Sequence, residues 1–150
     1  MKKRPLILTL ALLLVTLPFV QANHHEEDEE HHSELEDQMS AMNKAWRSIR
    51  RQIKDPAKNE STLELVAKVK ASAQKAVDMT PMLAEEQKGA DKEKFIADYS
   101  KSMKRMVGLV GELEAALKAG DNAGAEVIVG KLNDARKKGH ERFKAEDEDE

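Results

Sequence analysis

The chain has 150 residues, 35% of them charged and 3% aromatic, with no cysteine and a formal net charge of −3. That length suits one domain of ordinary size, and three Phe, one Tyr and one Trp are too few to fill the core of a β-sandwich or barrel. The absence of cysteine excludes disulfides, thiolate metal sites, iron–sulfur clusters, a cysteine nucleophile and covalent attachment of a haem through Cys-x-x-Cys-His.

Lys2, Lys3 and Arg4 precede an apolar run from Leu6 to Val20, and Val20-Gln21-Ala22 has the small-x-small form of a signal-peptidase site. The run of about 15 residues falls short of the roughly 20 that span a bilayer. Residues 1–22 therefore read as a cleaved secretory signal that leaves no membrane anchor, with the bacterial periplasm as destination. Nucleic acid and cytosolic partners are set aside on that ground.

Residues 23–32 form a tail in which His24, His25, His31 and His32 flank the five acids from Glu26 to Glu30. It reads either as a solvated acidic tail or as a weak secondary metal site, since short His-rich tracts bind Zn, Ni or Cu. Residues 146–150 are a second acidic tail. Loss of the signal leaves 22 basic against 28 acidic residues, or −6, whereas residues 33–145 alone hold 22 against 18, or +4. A basic body lies between acidic ends, which points to an acidic redox partner.

Four helices follow from the punctuation of residues 33–145. Ser33-Glu34-Leu35-Glu36 is a capping box, followed by Leu35, Met39, Met42, Trp46, Ile49 and Ile53 at heptad spacing until Asp55-Pro56. Ser61-Thr62-Leu63-Glu64 reads as a second capping box, opening a helix whose inner face carries Leu63, Val66, Val69 or Lys70, Ala73, Ala76 and Val77, halted by Thr80-Pro81. Residues 82–90 are polar and contain glycine, and read as a loop. The third helix begins near Asp91, with Phe95, Tyr99, Met103, Met106, Val110, Leu113 and Leu117 inward and Gly120 as its stop. Asp121-Asn122 caps the fourth, with Ala125, Ile128, Leu132, Ala135, Gly139 and Phe143 inward. Short connections and sustained 3-4 spacing predict an all-α, antiparallel up-down-up-down four-helix bundle.

Many seam positions are Ala, Gly or Met, which leaves either adaptable packing or the wall of a cavity near one end. His140 is the one histidine within this body. In an antiparallel bundle the start of the first helix lies beside the end of the fourth. Met39, six residues (about 9 Å) inside its helix, then falls at a depth similar to His140. A thioether facing an imidazole suits the two axial positions of an electron-transfer haem, and it also suits copper.

Three segments sharpen that choice. Glu34-Leu35-Glu36-Asp37-Gln38-Met39 with Asn43, the run Leu109-Val110-Gly111-Glu112-Leu113-Glu114-Ala115-Ala116-Leu117-Lys118, and Leu132 to Phe143 resemble, in order, the first, third and fourth helices of the cytochrome b-562 family. The Thr80-Pro81 turn falls where that family has its Pro-containing connection. The resemblance runs from about Glu34 to Lys144. It implies a periplasmic bundle holding one haem b per chain non-covalently, with Met39 and His140 as axial ligands to the haem iron and Arg136 near the propionates. Asn43 belongs to the same match. Where the family places aromatics on helix three, this chain has Ser102, Met103 and Met106, and Gly139 stands where a tyrosine is familiar. Met106 accordingly becomes part of the pocket wall.

The expected function is electron transfer with an unidentified periplasmic redox partner, by a monomer. Two other readings remain open: a periplasmic metal-binding or buffering bundle that uses the His-rich tail, and a cofactor-free structural or stress bundle. Enzyme chemistry finds no support, because the chain has no Gly-rich phosphate loop or nucleophile elbow and a carboxylate di-iron bundle needs two inward histidines. The Met79/Met82 and Met103/Met106 pairs read as core packing rather than Cu(I) sites.

Overall fold

A computed structural model describes residues 33–144. The expected signal at 1–22, the His-rich tail at 23–32, Ala145 and the acidic tail at 146–150 lie outside the described residues. Four helices and no strands occupy the described chain: α1 (Glu34–Gln52), α2 (Asn59–Ala76), α3 (Gly89–Lys118) and α4 (Asn122–Phe143). They pack sequentially, α1 on α2, α2 on α3 and α3 on α4. This is the expected up-down four-helix bundle. The backbones of α1 and α4 approach one another less closely than any of these sequential pairs.

The start of α1 forms as its sequence dictates. Glu36 N–H donates to Ser33 Oγ at 3.2 Å and Ser33 N–H donates to Glu36 Oε2 at 2.6 Å, so two of the helix's orphan donors are satisfied reciprocally. The acids Glu34, Glu36 and Asp37 in the first turn complement the helix dipole.

The expected capping box at Ser61–Glu64 is not used. Asp55 accepts from Ala57 N–H at 3.1 Å and Pro56 opens a 3-10 turn over Pro56–Lys58, so the chain is already winding before Ser61. α2 thus starts at Asn59. Ser61 and Thr62 lie within its first turn and donate their hydroxyls back to the Lys58 carbonyl at 3.0 and 2.7 Å. At the other end the helix stops at Ala76, ahead of Thr80-Pro81.

Residues 82–90 are likewise not all loop. Met82–Glu86 makes a second 3-10 turn that buries Ala84, and α3 begins at Gly89, whose φ of 54° is left-handed. The α3 stop at Gly120 is as expected. Its φ of 72° lets Gly120 N–H reach Leu117 O and Asp121 N–H reach Ala116 O, at 3.1 and 2.9 Å, the paired bonds of a Schellman ending. Asp121 then caps α4 by accepting from Gly124 N–H at 2.8 Å.

The core runs along the bundle axis through Met42, Trp46, Ile49 and Ile53 of α1, Val66, Val69, Ala73 and Ala76 of α2, Tyr99, Met103, Val110, Leu113 and Leu117 of α3, and Ala125, Val129 and Leu132 of α4. Val129 takes the fully inward place expected for Ile128, which packs at the core's edge. Each buried Val, Leu, Ile or Met of this core contributes roughly 1.5–3 kcal/mol by burial. No helix among the described residues is long and apolar enough to cross a membrane.

Candidate functional site at the open end of α1 and α4

The facing surfaces of α1 and α4 are registered by a polar pair. Trp46, buried in α1, donates its indole Nε1–H to Asn133 Oδ1 of α4 at 3.2 Å. Nearer the other end Asn122 Nδ2 donates to the Ile53 carbonyl at 2.9 Å, and Lys54 and Glu126 lie 3.4 Å apart. The Trp46–Asn133 and Lys54–Glu126 contacts agree on the antiparallel alignment to within one residue, and Asn122 reaches the Ile53 carbonyl from about one turn away.

Counting from Trp46 and Asn133 toward the start of α1 and the end of α4 places the remaining site residues. Seven residues on, about 10.5 Å of axis, Met39 and His140 stand level with each other. A seven-residue step turns a helix back to within about 20° of its starting direction, so both keep to the seam that Trp46 and Asn133 occupy. Three residues on, Asn43 stands level with Arg136.

A groove of about 540 Å³ opens along α4 at this end, walled by Arg136, His140 and Asn133 with Arg50 reaching in from α1. Lys137 and two acids, Asp134 and Glu141, complete its rim. Arg136 is half-buried, and its Nε is fully enclosed without a hydrogen-bond partner. An orphaned guanidinium donor of this kind is costly and is suited to an incoming carboxylate.

His140 is exposed overall, yet on the groove wall partial burial pushes its pKa down, helped by the Arg136 and Lys144 charges. All three causes favour the neutral imidazole, the form with a lone pair free to bind a metal. Met39 and Asn43 are half-buried, and Met39 packs against the core's edge rather than on the groove wall. Met106 of α3 occupies the core's edge as well.

An aromatic cluster anchors the turn that carries His140. The Phe143 ring meets Phe95 and Tyr99 edge-on, with centroids 5.3 and 5.5 Å apart, and the Arg142 guanidinium lies over it at 5.3 Å. The aromatics of α3 are therefore spent on fixing the end of α4. Among the described residues no three His, Asp or Glu side chains come together to hold a metal ion, and His24, His25, His31 and His32 lie outside them.

The family model for cytochrome b562 matches residues 34–144. The chain belongs to the cytochrome b562 family. Its members are haem-binding electron carriers, not enzymes. No curated protein and no solved structure matches the chain.

The residues of this cytochrome b562 family chain fit a haem. Of the neighbouring helix pairs, α1 and α4 approach least closely. The His140 imidazole is held toward its neutral form at the same depth as the Met39 thioether, and the enclosed Arg136 Nε has no hydrogen-bond partner, which suits a propionate oxygen. Arg50, Asn133 and Lys137 also line the site, and sequence reasoning had passed over them. Arg50 follows the buried Ile49 directly, so its place at the seam carries no signal in the apolar spacing.

Proposed function

We propose that the chain is a periplasmic electron carrier that holds one haem b between α1 and α4, with Met39 Sδ and a His140 ring nitrogen as the axial ligands. The observation that carries this reading is the alignment set by Trp46 and Asn133, which brings Met39 level with His140. Attachment is non-covalent, since the sequence has no cysteine to form a thioether link. When bound, the haem supplies one-electron exchange between its ferric and ferrous states.

The protein's own groups have separable tasks. His140 in its neutral form offers a nitrogen lone pair suited to both oxidation states, and the soft Met39 sulfur favours the ferrous one and raises the potential. Arg136 offers its orphaned Nε–H to a carboxylate, with Arg50 and Lys137 adding positive charge to the same groove. Asn43, level with Arg136, and Met106, at the core's edge, would flank the bound group. Met39 and His140 together would hold the iron with side chains on both sides and leave it no position for a substrate, in keeping with a carrier.

The reading of residues 1–22 as a secretory signal and the family's character support a periplasmic location. An acidic redox partner matches the stretch from Lys44 to Lys54, where Lys44, Arg47, Arg50, Arg51 and Lys54 occur without an acid. The chain acts as a monomer in this reading.

Absorption spectroscopy of the mature protein titrated with haem tests the proposal. A saturable change at one haem per chain, with sharp α and β bands on reduction, is expected for the wild type. Those bands are expected to be lost in both Met39→Ala and His140→Ala. Bands that survive in either variant rule out that residue as a ligand.

A further inference from the structure

The contacts between α1 and α4 are unevenly distributed. At the end where α1 finishes, the seam is held by Asn122 Nδ2 on the Ile53 carbonyl at 2.9 Å and by Lys54 with Glu126 at 3.4 Å, while Asn122 also exchanges amide bonds with Asn59 of α2. Moving toward Met39 and His140, the next hydrogen bond between described residues of the two helices is Trp46 Nε1–H to Asn133 Oδ1. Met39 and His140 lie two turns beyond it, on a helix pair whose backbones approach less closely than those of any sequential pair.

From this we infer that Trp46 and Asn133 are positioning residues, whose hydrogen bond sets the axial and rotational alignment of α4 against α1 and so holds His140 opposite Met39. The inference rests on Met39 and His140 being the ligand pair.

Three features support it. Trp46 is 6% exposed, so its ring is held by the core and its N–H points from a fixed place. Asn133 lies on the wall of the same groove as Arg136 and His140, so shifting it moves the surface that carries both. Apolar contacts alone allow helices to slide or roll with modest change in buried area, whereas a directional bond between an indole donor and an amide acceptor does not. A slip of one helical turn would displace His140 by about 5.4 Å relative to Met39, enough to separate two groups that must face one another across a single ligand.

The test uses Trp46→Phe, which keeps an aromatic ring but removes the donor, and Asn133→Ala, which removes the acceptor and leaves the core intact. Asn122→Ala is the control, because it breaks the seam bonds at the far end, about 21 Å along α1 from Met39. Each full-length mature variant is measured haem-free by thermal unfolding, then by haem titration, by the reduced absorption spectrum and by midpoint potential.

Trp46→Phe and Asn133→Ala are expected to bind haem roughly tenfold or more weakly, as for outer partners of metal ligands, with the sharp bands diminished and the potential shifted. Asn122→Ala is expected to unfold at lower temperature and yet to keep the wild-type spectrum and affinity. The positioning role is overturned if Trp46→Phe and Asn133→Ala give the wild-type spectrum while Met39→Ala and His140→Ala lose it. It is equally overturned if Asn122→Ala loses as much affinity as they do, since general stability then explains the effect. Sharp bands persisting in Met39→Ala or His140→Ala overturn the ligand assignment, and this inference with it.

Discussion

The Tyr99 hydroxyl of α3 donates to the Ala76 carbonyl at 3.0 Å, inside the core and at the last turn of α2. That bond is a second donor to a carbonyl that also accepts from Met79 N–H at 3.3 Å, and it ties α3 to α2 at the level where Phe143 closes against Tyr99. Burial pushes the Tyr99 phenol up to about 12 from its ordinary 10.0. Its neutral form is therefore favoured by folding, and the stability this gives is complete below pH 10 and lost as pH rises toward 12. Chemical denaturation between pH 8 and 12 is expected to show a steep alkaline fall in the wild type. Tyr99→Phe should be less stable at neutral pH by about 1 kcal/mol and show a shallower alkaline fall.

At the acid end the responsible group is Glu114. Lys70 of α2 reaches it at 2.7 Å, and Lys118 one turn along α3 bonds its second oxygen. The hydrogen bonds and charges of Lys118 and Lys70 hold the Glu114 carboxyl down to about 2 from 4.5. Its stabilising contribution is present above pH 4.5 and lost as pH falls through 2. Glu114→Gln is expected to lower the melting temperature at pH 7, with the difference from wild type shrinking as pH falls from 4.5 to 2.

Glycine content offers a test of helix stability without touching the site. Gly108 and Gly130 are exposed positions inside α3 and α4, and a Cβ at either would meet nothing within 4 Å. Gly108→Ala and Gly130→Ala should each stabilise by about 0.5–1 kcal/mol. Gly120→Ala should destabilise by about 1 kcal/mol or more, because its φ of 72° is strained for a residue with a Cβ. Thermal unfolding by circular dichroism separates the two directions of change.

Haem is expected to raise the melting temperature through linkage. With free haem at a hundredfold excess over Kd, the folded state gains about 2.7 kcal/mol. His140→Ala, an exposed position on the groove wall, should leave the haem-free melting temperature within about 0.5 kcal/mol of wild type in stability terms. The same variant should lose most of the haem-induced gain.

How legible the chain is depends on the distance over which each feature is decided. Ser33 with Glu36, and Gly120 before Asp121, are signals whose partners lie within five residues, and the structure follows them. The Ser61–Glu64 motif has the same letters as the first capping box, but Asp55-Pro56 had already turned the chain, and a local pattern does not show which of two competing starts prevails. In α4 the expected 3-4 spacing drifts, so that Val129 and not Ile128 is fully inward, as a 3.6-residue helix does against a 3.5-residue pattern.

At the site, Met39 and His140 could be matched in depth by counting from helix ends. The pairing of Trp46 with Asn133 spans 87 residues of sequence and joins a hydrophobic-looking seam residue to a polar one, so neither helix's pattern announces it. Arg50 in the groove is another product of tertiary placement. The aromatics Phe95, Tyr99 and Phe143 were readable as inward residues, but not as one edge-to-face cluster.

Because every closely packed helix pair is adjacent in sequence, the contacts that build the core are formed over short loops. Such low contact order places folding on the microsecond-to-millisecond scale typical of helical bundles. α1 against α4 is the only neighbouring pair among the four helices that must close over the whole chain. Its closure carries the largest loop-entropy cost of the neighbouring pairs. The seam assigned to the haem is therefore also the seam along which the haem-free protein is expected to open first. Amide exchange should report this as lower protection at the start of α1 and the end of α4 than at Val66, Val110 and Leu113.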